Sequence, residues 1–284
     1  MHVIDNTEHM QHLVREWQQA GESIAFVPTM GNLHAGHLAL VSVARHRGKR
    51  CVVSIFVNPK QFGPKEDFAT YPRSFEADIS QLKAAGVDCV FAPGVGDIYP
   101  AGTAACTSVT VPGISDVLEG EYRPGFFTGV ATVVNKLFNI VRPDVAVFGE
   151  KDFQQCLVIR RMVSDLAMGV DIISLPTVRE TDGLAMSSRN AYLDPAQRKV
   201  AALLHRCLEQ LVNTARLAGD IRFAVIHASQ ALEAQGFVVD YVVVRRQSDL
   251  QTPEDGDTAL VALAAVHLGD TRLIDNILFE LKTD

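Results

Sequence analysis

The sequence predicts an α/β fold, a doubly wound parallel sheet followed by a smaller C-terminal α+β domain. Short apolar segments alternate with helical patterns between residues 23 and 175, which implies right-handed βαβ crossovers within a parallel sheet. The segment Cys51–Val57 is apolar on both faces, as expected of a strand in a sheet covered by helices. After Pro176 the pattern changes to long helices and then β-rich segments. We therefore expect two domains, residues 1–177 and 178–284.

The individual elements follow from hydrophobic spacing and from the residues that begin and end helices. A first helix begins at Asn6 or Thr7, carries apolar residues at helical spacing and ends at Gly21. In the remainder of the first domain the pattern predicts strands at 23–27, 51–57, 87–92, 108–111, 144–148 and 171–175, and helices at 38–47, 74–85, 128–141 and 153–166. In the second domain Asp194-Pro195 predicts the start of a long helix to about Leu217. A further helix at about 221–235 and β-rich segments at 237–245, 259–266 and 272–279 follow.

Composition and charge argue against several classes of protein. The 284 residues are 48% hydrophobic and 21% charged, which is ordinary for a globular protein, and the net charge of −7 disfavours nucleic-acid and anionic-membrane partners. The longest apolar segments are too short for a bilayer span, and the first twenty residues lack the apolar segment of a signal peptide. We therefore expect a cytoplasmic protein. The five cysteines are widely spaced and form no C-x-x-C pair, which favours buried, reduced thiols.

The segment Val27–His37 lies between an apolar strand pattern and a helical pattern. A strand-to-helix turn is where open α/β sheets bind ligands, and the N-terminus of the helix favours phosphate. Gly31 and Gly36 allow a tight turn and a close approach to a ligand. His34 and His37 are three residues apart, so both rings can reach one point in front of the helix. Two alternatives stay open at this stage: a loop with solvated histidines, or half of a metal site that lacks a third ligand nearby.

Three further turns are expected at the same edge of the sheet. The first contains Asn58 and Gln61, the second is Gly149–Asp152 with Gln155 one turn into the next helix, and the third is 180–190. Each is ambiguous alone, because a turn lysine or arginine is often only a solvated surface cation. Together they place two imidazoles, the Lys151 ammonium and the Arg189 guanidinium around one edge of an acidic protein, which suits a polyphosphate. The sequence has no G-x-x-x-x-G-K-[ST] motif and no G-x-G-x-x-G in a suitable context.

Several motifs carry a resemblance to a known family. His34-Ala35-Gly36-His37 resembles the H-x-G-H signature of nucleotidylyl transferases and class I aminoacyl-tRNA synthetases, and Met186-Ser187-Ser188-Arg189 resembles the second signature of that superfamily. Five longer motifs, in order, are similar to the pantothenate synthetase (pantoate–β-alanine ligase) family: 28–34, 53–59, 71–73, 148–155 and 182–190. The segment 268–276 resembles the end of the family's chain. The sequence departs from the family pattern at Lys60, where Met is frequent, and matches weakly over 200–260.

This resemblance implies a Rossmann-like catalytic domain and an ATP-dependent condensation of (R)-pantoate with β-alanine, a step of pantothenate and coenzyme A biosynthesis. Pantoate's carboxylate attacks the α-phosphate of Mg-ATP to give pantoyl adenylate and pyrophosphate, and β-alanine's amine then displaces AMP. The resemblance also implies a homodimer that requires Mg²⁺ and binds neither nucleic acid nor membrane. A carboxylate nucleophile needs no base, so a histidine at this site supplies either charge or a hydrogen bond.

The resemblance also implies roles for individual residues. The catalytic residues are expected to be His34, His37, Lys151 and Arg189. ATP is expected to contact Met30, Gly31, Asn32, Leu33, His34, Ala35, Gly36, His37, Gly149, Glu150, Lys151, Asp152, Val178, Met186, Ser187, Ser188 and Arg189. Pantoate and β-alanine are expected to contact Asn58, Gln61, Tyr71 and Gln155. Asp78 and Asp152 are the candidates for Mg²⁺, although Asp152 also suits a helix cap. Tyr71, Glu119 and Arg123 suit a lid over pantoate, with a surface ion pair as the alternative for Glu119 and Arg123.

Three other functions remain open from the sequence. A plain nucleotidylyl transferase would release a dinucleotide and need no amine. A tRNA-charging fragment is disfavoured by the net charge of −7. An ATP-binding regulatory module would bind nucleotide without releasing AMP.

Overall fold

The computed structural model describes residues 1–64 and 66–281, apart from the side chain of Ala218. The chain forms two compact units. The N-terminal unit comprises Met1–Glu150 and Gln154–Pro176, and the C-terminal unit comprises Lys151–Phe153 and the residues from Thr177 onward. Within the described ranges every helix is too short or too polar to cross a membrane.

The N-terminal unit is built on a parallel sheet, as the sequence predicts. Its described strands are β1 His2–Ile4, β2 Ile24–Thr29, β3 Arg50–Ile55, β4 Cys89–Phe91, β5 Val145–Gly149 and β6 Asp171–Leu175. They run in the order β1-β4-β3-β2-β5-β6, and every pair is parallel. The chain winds outward from β2 on one side through β3 and β4, then returns to the other side for β5 and β6. The sheet therefore has a topological switch point between β2 and β5, where doubly wound folds bind ligands.

The helices of this unit begin and end close to their predicted positions. They are α1 Thr7–Gln19, α2 Ala35–Arg47, α3 Phe75–Ala84, α4 Val95–Ile98, α5 Glu119–Tyr122, α6 Phe126–Val141 and α7 Phe153–Asp165. The Asn6 side chain caps α1 by accepting the backbone N–H of His9. The single turns α4 and α5 are not predicted, because four residues are too few for a helical period.

The predicted strands differ from the structure in two places. The edge strand β1 is not predicted, since three residues carry no alternating pattern and only pairing with β4 makes them a strand. The strand predicted at 108–111 is irregular backbone instead. There the N–H of Val109 donates to the side-chain oxygen of Thr132 at 2.9 Å and not to a neighbouring strand.

The C-terminal unit packs helices against a small antiparallel sheet. Its described helices are α8 Pro195–Ala201, α9 Leu203–Ala218 and α10 Ile221–Ala234, and its strands are β7 Val238–Arg246, β8 Ala259–Leu268 and β9 Thr271–Glu280, in the order β7-β8-β9. The core joins residues of α9, such as Leu208, to residues of β8, such as Ala262.

The sequence predicts correctly where α8 begins, but it predicts one continuous helix where the structure has two. Asp194 caps α8 by accepting the N–H groups of Ala196 and Gln197, with Pro195 in the first turn. The single long helix predicted from this start is interrupted at Ala202 and becomes α8 and α9. The sequence has no proline or glycine at this break, so it contains no local signal for it.

Candidate active site

The loop that follows β2 makes an unusual turn and is braced by a buried carboxylate. Gly31 and Asn32 both have positive φ angles, +80° and +51°, and Asn32 adopts a conformation that few non-glycine residues do. The Asp78 carboxylate, from α3, accepts the N–H of Asn32 at 2.8 Å and that of Leu33 at 2.9 Å. Ser74 donates its hydroxyl to the same carboxylate at 3.1 Å. Asp78 thus holds the loop in the conformation that leads into α2.

The carboxylates predicted to bind Mg²⁺ do not form a metal-binding cluster. Asp78 is 1% exposed and already accepts three hydrogen bonds, so it fits a bracing role better than that of a metal ligand. Asp152 is half exposed, and its carboxylate lies 3.7 Å from the Lys151 ammonium. Residues 1–64 and 66–281 contain no group of three or more His, Cys, Asp or Glu side chains arranged to hold a metal ion.

Replacing Asp78 with alanine is expected to lower the free energy of unfolding by about 3 kcal/mol, because two buried backbone N–H groups lose a charged acceptor. The loss should be measured by urea unfolding in EDTA, with no metal or ATP present. Glu76→Ala is the matched control, since Glu76 is an exposed carboxylate on the same helix. Wild-type stability of Asp78→Ala in EDTA would contradict the bracing role.

The two histidines cap helix α2 with the same ring nitrogen. His34 is the N-cap residue, and its Nδ1 accepts the N–H of Gly36 at 3.2 Å. His37 is the third residue of the helix, and its Nδ1 accepts the N–H of His34 at 3.3 Å. A ring nitrogen that accepts a hydrogen bond carries no proton, so each ring bears its proton on Nε2. The ring centroids lie 4.1 Å apart.

This arrangement determines what the histidines can do chemically. Each ring is held as a neutral imidazole whose Nε2–H is a hydrogen-bond donor. The rings lie at the N-terminus of a thirteen-residue helix, where unpaired N–H groups favour an anion. Of the two roles left open by the sequence, the geometry favours hydrogen-bond donation over positive charge. The alternative of half a metal site is disfavoured, because the ring lone pair that could bind a metal is on Nδ1 in both histidines and already accepts an N–H there, while Nε2 carries the proton.

A second group of predicted residues lies at the carboxyl end of β3. A single helical turn, Pro59–Gln61, is capped by Asn58, which is 1% exposed. Asn58 donates from Nδ2 to Oε1 of Gln61 at 3.0 Å, and Nε2 of Gln61 points at the sulfur of Met30 at 3.0 Å. Met30, Asn58 and Gln61, which the sequence predicts at two separate turns, therefore form one chain of contacts beside the histidine loop.

Arg123 is part of a buried network and not of a surface ion pair. Its guanidinium is 14% exposed and donates to both carboxylate oxygens of Glu66, at 2.8 and 2.6 Å. It also donates to the backbone oxygen of Gln61 at 3.2 Å and lies 3.7 Å from the centroid of the Phe126 ring. The Glu119 carboxylate is 3.8 Å away. Arg123 thus holds the main chain at Gln61, and the alternative of a solvated pair is wrong.

The remaining predicted residues of the N-terminal unit have contacts of their own outside the group of Met30, Asn58 and Gln61. Tyr71 is 6% exposed and packs against the ring of Phe62. Glu150 follows Gly149 at the end of β5 and accepts a hydrogen bond from Ser174 of β6 at 2.8 Å. Gln155 is half-buried in the first turn of α7. Its neighbour Gln154, which the sequence reasoning missed, donates to the backbone oxygens of Ile114 and Val117, both at 2.7 Å.

In the C-terminal unit the predicted residues lie on a short turn of chain. The N–H of Met186 donates to the oxygen of Val178 at 3.0 Å, so the intervening residues form a hairpin. Ser187 begins the next turn by accepting the N–H of Arg189, and Asn190 donates to the oxygen of Ala185 at 3.0 Å. Met186, Ser187, Ser188 and Arg189 therefore lie on backbone that is fixed at both ends.

Lys151 belongs to the same unit and is fixed through its main chain. Its backbone oxygen accepts a hydrogen bond from Nδ2 of Asn276 at 2.9 Å, while its side chain is 21% exposed and carries the ammonium 3.7 Å from the Asp152 carboxylate. The lysine side chain is therefore available for a ligand, and the residue's position does not depend on it.

An ion pair that was not predicted from the sequence, between Arg179 and Asp275, anchors the hairpin. Arg179 donates to both oxygens of Asp275, at 2.8 and 2.9 Å, and to the backbone oxygen of Gly183 at 3.1 Å. His205 lies 3.4 Å from the same carboxylate. Burial would raise the pKa of the Asp275 carboxyl, but hydrogen bonds from His205 and Arg179 outweigh burial and hold that pKa below its usual range. The sequence offered two signals for Asp275, its place in the segment 268–276 that resembles the family and its charge within an apolar strand pattern, but neither pointed to Arg179.

Replacing Asp275 with asparagine is expected to lower the free energy of unfolding by about 3 kcal/mol near pH 7, because Arg179 is left without its buried partner. Since the folded pKa is depressed, this contribution is present above the unfolded pKa of about 3.9 and is lost as pH falls through the folded value. Urea unfolding should show a smaller difference in the free energy of unfolding between wild type and Asp275→Asn at pH 3 than at pH 7. Asp270→Asn, at an exposed position, should leave the free energy of unfolding unchanged at either pH. If the loss of stability in Asp275→Asn were the same at both pH values, the depressed pKa of Asp275 would not contribute to stability.

Comparisons with known proteins agree with the resemblance seen in the sequence. The family model described as pantoate-beta-alanine ligase matches residues 2–278. Pantothenate synthetase from Methylococcus capsulatus is 55% identical over 285 aligned positions, which cover 100% of this chain and 99% of that protein. Pantothenate synthetase from Shewanella loihica is 50% identical over 280 positions, which cover 99% of both proteins.

Solved structures agree with the sequence relatives. The crystal structure of pantothenate synthetase from Thermus thermophilus has a TM-score of 0.91 and 44% identity, covering 98% of this chain and 99% of that one. The pantoate-beta-alanine ligase of Francisella tularensis, crystallised with beta-gamma ATP and β-alanine, has a TM-score of 0.83 and 33% identity, covering 98% and 97%. Because the family model and the relatives match almost the whole chain, the protein belongs to the pantoate–β-alanine ligase family.

Proposed function

We propose a mechanism, residue by residue, for the reaction that family membership assigns to this chain. The chain is an ATP-dependent ligase that condenses pantoate with β-alanine to pantothenate. In the first step a carboxylate oxygen of pantoate bonds to the α-phosphorus of ATP, the bond to the β,γ-diphosphate breaks, and pyrophosphate leaves. In the second step the amine of β-alanine attacks the acyl carbon, AMP leaves with the bonding electron pair, and the amine loses a proton.

The observation that carries this proposal is the pair of Nε2–H donors at the N-terminus of α2. His34 and His37 present neutral donors where the helix also favours negative charge. Charge develops on phosphate oxygens as pyrophosphate leaves, and donors already aimed at those oxygens lower the barrier without reorganisation. The histidines therefore act by hydrogen bonding and not as a base, since the attacking carboxylate has no proton to lose.

The residues proposed to neutralise the triphosphate belong to the C-terminal unit. Lys151 and Arg189 neutralise the triphosphate, and the hydroxyls of Ser187 and Ser188 add donors to it. The main chain at Val178 and Met186 binds adenine. The fixed hairpin and the main-chain anchor of Lys151 support these assignments, because a preorganised donor loses little freedom on binding.

Pantoate is assigned to the amide-bearing residues of the N-terminal unit. Gln61 and Gln155 bind its hydroxyl and carboxylate groups without adding charge, Asn58 holds Gln61, and Tyr71 covers the site. Arg123 keeps the backbone of Gln61 in place. Exclusion of water by this part of the chain protects the acyl adenylate from hydrolysis.

Mg²⁺ enters this scheme with ATP, as part of the substrate. Further parts of the proposal are a homodimer, inferred from the family resemblance, and a cytoplasmic location. The described cysteines are all free thiols, which suits a reducing compartment. Light scattering on the eluting protein would test the dimer by a mass of twice 31.0 kDa.

The test of the reaction is AMP formation from Mg-ATP with pantoate and β-alanine, each omitted in turn. Steady AMP release only with both substrates present is the expected result. Release of a dinucleotide without β-alanine would favour a plain nucleotidylyl transferase. ATP binding without AMP release would favour a regulatory module.

A further inference from the structure

Tyr99 is a buried residue that the mechanism above does not use. It follows α4 in the N-terminal unit and is 2% exposed. Its hydroxyl lies 2.7 Å from Oδ1 of Asn58. Most buried hydroxyls have a hydrogen-bond partner, and that of Tyr99 is the amide that caps the Pro59–Gln61 turn.

The orientation of the Asn58 amide is fixed by two backbone groups. The N–H of Lys60 can only donate, and it lies 3.3 Å from Oδ1 of Asn58. The carbonyl of Gly129 can only accept, and it lies 3.1 Å from Nδ2. The amide therefore cannot be flipped, and Tyr99 must be the donor to Oδ1. Burial also raises the pKa of the Tyr99 hydroxyl well above its ordinary value, so the donated proton is retained.

Helix α6 approaches this turn closely at Gly129. A Cβ atom added there would lie 2.2 Å from the backbone oxygen of Lys60. Only glycine allows the Gly129 carbonyl to come within hydrogen-bond distance of Asn58, so the arrangement around this amide is determined from both sides.

The orientation of the Asn58 amide also determines that of the Gln61 amide. Because Nδ2 of Asn58 donates to Gln61, the atom that Gln61 turns toward Asn58 must be Oε1. Nε2 of Gln61 then faces the opposite way, toward the sulfur of Met30 at 3.0 Å. Gln61 therefore presents its N–H groups on the side of Met30, where they can donate hydrogen bonds to an oxygen of a ligand.

We infer that Tyr99 is a positioning residue: together with the two backbone groups its hydroxyl holds the Asn58 amide in place, and through that amide it keeps the N–H groups of Gln61 turned toward pantoate. This inference rests on the pantoate role proposed for Gln61. The Tyr99 ring also contacts Phe56 and lies near the Lys136 ammonium. Phenylalanine keeps those ring contacts, so Tyr99→Phe removes the hydroxyl alone.

The experiment is steady-state kinetics of purified Tyr99→Phe with each substrate varied in turn. The KM of pantoate is expected to rise about five- to tenfold, as for the loss of one oriented hydrogen bond. The KM of ATP is expected to change by less than about twofold. Ser54→Ala is the matched control, since this buried hydroxyl of β3 has no hydrogen-bond partner within the described part of the chain. It should leave both KM values unchanged.

A double-mutant cycle separates positioning from general packing. If Tyr99 acts through Gln61, adding Tyr99→Phe to Gln61→Ala should change the KM of pantoate by less than about twofold. Additive effects, equal rises in the KM of pantoate and of ATP, or an equal effect of Ser54→Ala would each overturn the inference. If Gln61→Ala leaves the KM of pantoate unchanged, the role proposed for Gln61 fails as well, whereas an effect of Gln61→Ala without one of Tyr99→Phe overturns the inference alone.

The polarity of Gln61 can be tested without changing Tyr99. Gln61→Glu keeps an oxygen toward Asn58 and places a second carboxylate oxygen where Nε2 lies. Repulsion of pantoate's oxygens should raise the KM of pantoate above that of Gln61→Ala. A lower KM for Gln61→Glu than for Gln61→Ala would overturn the assigned orientation.

Discussion

Lys151→Ala is expected to lower the rate of AMP formation by about 10²–10³-fold, the loss typical of one preorganised group that stabilises developing charge. The lysine side chain is 21% exposed, and its ammonium lies 3.7 Å from the Asp152 carboxylate. The residue's position depends on its backbone oxygen, which Asn276 holds at 2.9 Å. Truncation of the side chain should therefore remove the charge and leave the fold intact. Single-turnover formation of AMP from ATP and saturating pantoate and β-alanine measures the effect.

Lys83→Ala is the control for this prediction. Lys83 is exposed in the last turn of α3, and its loss should change neither the rate nor the melting temperature. Thermal unfolding of Lys151→Ala should match the wild type. An AMP-forming rate of Lys151→Ala within threefold of the wild type would remove Lys151 from the proposed mechanism.

His37→Ala is expected to lower the rate of adenylation by about 10²-fold, because it removes one of the two Nε2–H donors that we propose stabilise the departing pyrophosphate. The alanine variant also loses a helix cap, since Nδ1 of His37 accepts the N–H of His34. Capping contributes about 1 kcal/mol, so a modest fall in melting temperature should accompany the loss of activity.

His37→Gln separates these two effects. Glutamine at the third helical position can accept the same N–H, as in a capping box, but it has no imidazole Nε2–H. The melting temperature should return toward the wild-type value while adenylation stays slow. His46→Ala, on the exposed last turn of the same helix, is the control and should behave as the wild type. If His37→Gln restored the rate together with the stability, His37 would be a helix cap and not a catalytic residue.

Local sequence patterns determine much of this protein. The apolar segment Ile24–Val27, followed by glycines and histidines and then a helical period, predicts β2, its turn and α2 at the position where the structure has them. Asp194-Pro195 predicts the start of α8 for an equally local reason, since a cap and its target N–H groups are two and three residues apart. The turns after β2 and β3 are also expected to meet, because parallel strands bring their carboxyl ends to one edge of the sheet, and Gln61 does contact Met30 there.

The tertiary structure alone determines the roles of residues whose hydrogen-bond partners are distant in the sequence. Asp78 suggests a metal ligand from its chemistry, but it braces the N–H groups of Asn32 and Leu33, which lie 46 and 45 residues away along the chain. Arg179 and Asp275 are 96 residues apart, and Tyr99 and Asn58 are 41 apart. The protonation of His34 and His37 likewise follows from which N–H each ring nitrogen faces. Hydrophobic period and capping chemistry act within a few residues, so the sequence determines the elements and the residue types at their ends. The hydrogen bonds that orient those residues form only when the chain brings distant segments together.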